Sequence, residues 1–343
     1  MIRIIYLLVT LLLLSCGVAH AQVVRWERAL GGSSYSHGYD AHQTPDGGYI
    51  VAGVTDAARG GEVTDSTRGD TDTWLIKYSA AGIRQWDHRY GGTRYEEAFS
   101  VCATLDGGYL IGGVSYWGAG GDYSTAGRGQ IDYWALKLDA QGTKQWDRRY
   151  GTDSTDVLQA VWQAADGGYM LAGYSLAPTA NGDKSAPSRG DSDMWVIKID
   201  AQGNKQWDRT LGGQRDDIAL SGMATPDGGC LLVGGTASPV SGEVTQVPIG
   251  SPTDSDFWVV KLDAQGTIQW DRRYGGTNGD TAFAGCLAPG GGYVVAGYSN
   301  SGVGGGHSQP ARGGRDYWVV KLSATGAQQW DVTLGTAADE YCT

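Results

Sequence analysis

Polar and apolar residues alternate singly through "KQWDRRY" at 144–150, so that Trp146, Arg148 and Tyr150 share one face and Gln145, Asp147 and Arg149 the other. A period of two is the mark of a β-strand. The stretch "DYWALKL" before it reads as a second strand, and "DAQG" between them as a hairpin turn. Upstream, the short apolar runs "AFSVCAT" and "GYLIGGVS" flank Asp-Gly-Gly at 106–108, where glycine supplies the positive φ that primed hairpin turns require. After residue 21 the period of 3.6 that would predict a helix does not appear. The pattern predicts four antiparallel strands in two hairpins, joined by one long polar loop.

The four-strand unit recurs. Tryptophans that precede an acid stand at Trp26, Trp86, Trp146, Trp207, Trp270 and Trp330, in steps of 60 to 63 residues. A second series, Trp74, Trp134, Trp195, Trp258 and Trp318, keeps step with the first. Five complete units of about 60 residues are therefore predicted, and a single unit cannot cover both faces of its own sheet, so neighbours must bury one another. The expected fold is an all-β β-propeller of four-stranded antiparallel blades, with a solenoid of stacked sheets as the alternative. Small residues (Ala, Val, Cys, Gly) suit the first strand to the crowded axis, and Gln, Asp and Arg suit the fourth to a wet outer edge. An orphan fourth strand is predicted at 23–30, and "LGTAADEYCT" at 334–343 reads as the start of a sixth unit. The expectation is a propeller domain over 22–343, part of a longer protein whose ring has at least six blades.

The first residues change the picture. Arg3, the apolar run 4–14 and the small residues 15–21 form the layout of a secretory signal peptide over 1–21, with Ala19 and Ala21 as its A-x-A cleavage site. The rival reading is a lipoprotein box ending at Cys16, whose lipidation would tether the protein to a membrane. A secreted or outer cell-surface location follows in either case, with no membrane insertion once the signal is cleaved. The formal net charge of −11 repels phosphate backbones and excludes nucleic acid as a partner. Of the remaining cysteines, Cys102 and Cys286 hold one position in two non-adjacent units, so small buried hydrophobes are expected in place of disulfides.

The combination of "QWDRRYGG", "DGGYMLAGYS", "KSAPSRGDSDMWVIKID" and "AQGNKQWDRTLGG" resembles the secreted repeat proteins of Bacteroidota that carry a type IX secretion C-terminal sorting domain. It is similar in plan to delta-60 and related β-propeller repeats. The resemblance covers residue 23 to the end of the chain, without the sorting domain, and implies a cell-surface or secreted propeller with carbohydrate as a partner.

Both hairpin turns are short, so the long connections at 56–71, 116–131, 176–192, 237–255 and 300–315 gather at the other end of the blades. That loop face is the expected contact surface for a polysaccharide or protein. Tyr116, Trp117, Tyr123 and His307 are its candidate ligand-binding residues, suited to stacking and hydrogen bonding. Ten residues after each strand-four tryptophan except Trp26, which is followed by Ser36, comes an acid, Glu96, Asp156, Asp217, Asp280 or Glu340, and a ring of such carboxylates would suit Ca²⁺. The competing reading, which requires no cofactor, is structural ion pairing with the recurring Arg68, Arg128, Arg189 and Arg312. No H-E-x-x-H, G-x-S-x-G or P-loop is present. A binding or scaffolding module is the leading expectation, with a carbohydrate-active hydrolase or lyase and a ligand-free spacer as alternatives.

Overall fold

A computed structural model describes residues 26–116 and 120–340. Five four-stranded sheets account for its regular structure. Blade 1 holds β1 Ser36–Gln43, β2 Tyr49–Thr55, β3 Asp72–Tyr78 and β4 Arg84–Tyr90; blade 2 holds β5 Glu96–Ala103, β6 Tyr109–Tyr116, β7 Ile131–Leu138 and β8 Lys144–Tyr150. Blade 3 runs β9 Asp156–Gln163, β10 Tyr169–Ser175, β11 Asp193–Ile199 and β12 Lys205–Leu211. Blade 4 runs β13 Asp217–Ala224, β14 Cys230–Thr236, β15 Asp256–Leu262 and β16 Ile268–Tyr274, and blade 5 runs β17 Asp280–Leu287, β18 Tyr293–Ser299, β19 Asp316–Leu322 and β20 Gln328–Leu334. Every sheet is antiparallel in sequence order, as the hairpin signals predict. The fold is a β-propeller, and among the described residues no helix is long and apolar enough to cross a membrane.

Four hydrophobic cores lie between blades, and a fifth, with Val63, Trp74 and Ile76, lies on blade 1 alone. One joins Ile50, Leu75 and Tyr90 of blade 1 to Trp134, Leu136 and Leu138 of blade 2. The next joins Tyr133 and Ala135, from the opposite face of the same strand β7, to Trp195 and Ile197 of blade 3. Two more repeat the arrangement between blades 3 and 4 and between blades 4 and 5. Alternation along β7 thus feeds two cores at once, which is why β3, β7, β11 and β15 are buried almost throughout.

Successive inner strands β1, β5, β9, β13 and β17 pack side by side, and no comparable packing joins blade 5 to blade 1. The consequence shows in exposure: Trp330 of blade 5 is 50% exposed, whereas Trp86, Trp146 and Trp270 pack on Tyr109, Tyr169 and Tyr293 of the following blade. The same difference separates Cys102, buried under blade 3, from Cys286, which is exposed and departs from the expectation of burial. Both are free thiols, as is the buried Cys230. Residues 26–30 form no strand, contrary to the predicted orphan, yet Trp26 takes the docking position of a strand-four tryptophan, 5.6 Å from the Tyr49 ring and 5.9 Å from Tyr78. The signal segment, Cys16, Trp117 and Cys342 lie outside the described residues.

A lysine locks each blade's turns, and in blades 1 to 4 it is buried. Lys198 Nζ donates to Asp166 Oδ1 of the first hairpin turn at 2.8 Å and to the Ile199 carbonyl at 3.2 Å. Lys77, Lys137 and Lys261 repeat this pairing with Asp46, Asp106 and Asp227. In blade 5 Gly290 replaces the acid, and Lys321 donates to the Gly291 carbonyl at 2.7 Å. Because the lysine keeps a backbone acceptor, Asp166→Ala is expected to cost about 1–2 kcal/mol in a urea melt; an unchanged midpoint would deny the lock any energetic weight.

Candidate functional site at the loop end of the inner strands

The acid that opens the inner strand of blades 2 to 5 folds back on its own lead-in turn. The backbone N–H four residues upstream donates to it in all four cases: Gly92 to Glu96 at 3.0 Å, Thr152 to Asp156 at 2.7 Å, Gly213 to Asp217 at 2.6 Å and Gly276 to Asp280 at 2.8 Å. A second set of acids, Asp72, Asp132, Asp193 and Asp316, opens the third strands and accepts from the backbone N–H groups of the recurring arginines. The two sets meet at the junctions between blades. A carbon added to Gly212 would lie 2.5 Å from Asp193 Oδ1 and 2.9 Å from Asp217 Oδ2, and Gly91 and Gly275 stand between Asp72 and Glu96 and between Asp256 and Asp280 in the same way. Only glycine leaves room for this approach.

One buried base accompanies the acids of each blade. Arg89 lies 3.7 Å from Asp72 and Arg273 3.5 Å from Asp256, both from the fourth strand, where blade 2 has Arg149. Blades 3 and 5 carry Thr210 and Thr333 there, and in those blades the base comes from the long loop, as Lys184 and His307. His307 Nε2 lies 3.2 Å from Asp280 Oδ1, with its ring stacked on Trp318 at 3.7 Å. Tyr123 occupies the same loop position in blade 2, packed on Trp134 with the Arg149 guanidinium 3.4 Å above its ring. His307 is therefore an interior group with no stacking face to solvent, which corrects the expectation that it lines a binding surface, and the half-buried Tyr123 braces its junction in the same way. The exchange of Arg for Thr wherever the loop brings a base is legible in the sequence once the two positions are known to touch.

The recurring arginines bridge junctions at the surface: Arg68 pairs with Asp122, Arg128 with Asp183 at 3.0 Å and Arg189 with Glu243. At the next junction both partners are lost together, as Pro252 and Gly306. These contacts are the ion pairs and backbone caps of the competing sequence reading. Glu96, Asp156, Asp217 and Asp280 sit at four separate junctions and do not converge on one ring, and among the described residues no three His, Cys, Asp or Glu side chains group as a metal site. Burial pushes Glu96 and Asp256 up to about 7 and Asp217 up to about 6.

Symmetry breaks elsewhere, at the inner strands of blades 1 and 2. In every inner strand one residue is skipped in the pairing with the second strand: Tyr39, Phe99, Gln159, Leu220 and Phe283. Such bulges re-aim a side chain out of the ladder. In the first two blades the re-aimed residues are aromatic and touch edge to face, with centroids 4.9 Å apart. His37 stands 4.6 Å from Tyr39 and stacks on Tyr35 at 6.3 Å; Tyr95 meets Tyr116 at 6.1 Å. Tyr35 and Tyr95 are 49% and 50% exposed. Blades 3 to 5 have Thr155, Asp216 and Gly279 at the position of these two tyrosines. Of the sequence candidates among the described residues, only Tyr116 belongs to this cluster. The cluster's other members lie outside the loops between strands two and three, and their signal in the sequence is an aromatic at one repeat position in two successive units, Tyr35 and Tyr95. A concavity of about 740 Å³ at the hairpin end, lined by His42, Thr44, Pro45 and Leu105 among others, gathers no comparable set of rings.

No family model matches the chain. It is 28% identical over 193 residues to the regulatory protein FlaEY of Caulobacter vibrioides, a match that covers 55% of this chain and 20% of that protein. The chain thus spans about a fifth of the length of this curated relative. Among solved structures it is similar to the hydrazine synthase of Kuenenia stuttgartiensis (11% identity, TM-score 0.50, 92% of this chain and 70% of that one). It is also similar to a protein of unknown function from Bacteroides caccae, with 14% identity, a TM-score of 0.49, and 90% and 85% of the two chains covered. Likeness at these identities is a likeness of fold.

Proposed function

We propose that this β-propeller is a secreted or cell-surface binding module whose loop face contacts a glycan, polymer or protein partner. The observation that carries the reading is the aromatic cluster of blades 1 and 2. Acids and bases that recur in the blades are consumed at the junctions and the lysines in the turns of their own blades, whereas Tyr35, Tyr95 and Tyr116 keep exposed ring surface that the repeat does not require. Rings with a polar tip on a rigid scaffold are suited to recognition. Export to the cell surface is supported by the signal-like residues 1–21 and by the likeness of the repeat to secreted Bacteroidota proteins.

Binding to a panel of polysaccharides and basic and acidic peptides, with a parallel screen for turnover, tests the reading. At least one ligand is expected to bind without being consumed, and the Tyr35→Ser, Tyr95→Ser double variant is expected to weaken it at least about tenfold at unchanged melting temperature. Equal binding by the double variant, or no binding across the panel, would refute it.

A further inference from the structure

We propose that the aromatic cluster on the inner strands of blades 1 and 2 is built around Glu97 to hold an organic cation, an alkylammonium or guanidinium group. This rests on the binding-module reading and specifies its ligand. Glu97 is half-buried on β5, and among the described residues its carboxylate has neither a hydrogen bond nor an ion pair. The junction acids, by contrast, all have backbone donors. Both Tyr39 and Tyr116 lie within electrostatic reach of Glu97, and Tyr35 lies beside Tyr39. Phe99 and His37 complete the surround through their contacts with Tyr39.

A carboxylate taken partly out of water without a partner is costly, and burial raises its pKa. A cation placed between it and the electron-rich faces of the tyrosines would compensate that cost twice, by charge and by cation–π attraction. Anions are disfavoured by the same carboxylate and by the net charge of −11. A neutral sugar would cover the rings but leave the charge buried and unpaired. The position is also particular to blade 2: the equivalents of Glu97 are His37, Val157, Ile218 and Thr281, so packing of the repeat does not call for an acid there.

The test titrates the full chain with tetramethylammonium chloride, arginine ethyl ester and the neutral isostere 3,3-dimethylbutanol, each at constant total salt, read by calorimetry and by tyrosine NMR shifts. Saturable binding of at least one cation is expected, with the better of the two arms separating an alkylammonium from a guanidinium source. Glu97→Gln should weaken it about tenfold or more with the melting temperature unchanged, and the isostere should not saturate. Equal binding of the isostere, equal binding by Glu97→Gln, or no saturation by either cation would overturn the inference. If the cations fail while an oligosaccharide binds in a Tyr35- and Tyr95-dependent way, the binding-module reading survives alone; if nothing binds, both fall.

Discussion

Trp195→Ala is expected to remove about 3–5 kcal/mol of unfolding free energy, the range for deleting a large, fully buried aromatic. Its ring is completely buried in the core between blades 2 and 3, 4.8 Å from the ring of Tyr133. Its indole N–H donates to Asp208 at 3.0 Å, and its own carbonyl accepts from the Tyr133 hydroxyl at 2.9 Å. The substitution therefore leaves a cavity and removes the donor to a buried carboxylate. Because the cores lie between blades, the damage falls on the coupling of two blades, and the urea transition is expected to lose cooperativity as well as midpoint. Trp330→Ala is the control: half-exposed, it is expected to cost less than about 1 kcal/mol. Similar losses for the two would mean that the uncovered side of blade 5 is buried in solution.

Thermal stability is expected to peak near pH 4 and to fall as the pH is raised to 7.5. Burial holds Glu96 and Asp256 at about 7 and Asp217 at about 6, above the value of about 4 that such groups take in an unfolded chain. A carboxyl that binds its proton more tightly in the folded state contributes stability that is complete at low pH and is lost as the pH climbs through its folded pKa. The opposite limb comes from the turn locks. Hydrogen bonds from Thr44 and Lys77 hold Asp46 at about 2, and Lys261 with Thr225 holds Asp227 there against its partial burial. Their contribution is present above about pH 4 and disappears as the pH falls toward 2. Asp256→Asn and Asp217→Asn should flatten the upper limb and leave the lower one in place. A melting temperature that rises between pH 5 and 7.5 would show that the junction carboxylates are ionised throughout.

Much of the architecture was legible because it is local. Asp-Gly-Gly and "AQG" turns set hairpin positions, single-residue alternation in the fourth strands set which face is wet, and the two tryptophan series set five units. The lysines of the third strands serve the turns of their own blades, since a residue present in every blade is accounted for by what every blade needs. The candidate site was legible only in part. Tyr123 and His307 look like loop residues in the sequence, and so they are, but the loop doubles back over the blade and packs them against Trp134 and Trp318. The aromatic cluster is not legible locally because Tyr35, Tyr39 and His37 stand 56 to 81 residues from Tyr95, Phe99 and Tyr116 in the chain, and only the packing of β1 against β5 brings them together.

The sequence by itself determined strand count, strand order, turn chemistry and the repeat, because each of these depends on residues within a hairpin's reach of one another. The tertiary structure alone decided which carboxylates meet, where each blade finds its base, and that the exposed rings of two blades share one surface. Those outcomes depend on contacts between units, where a side chain's charge and burial are set by a neighbour about 60 residues away, and no local pattern encodes that neighbour's position.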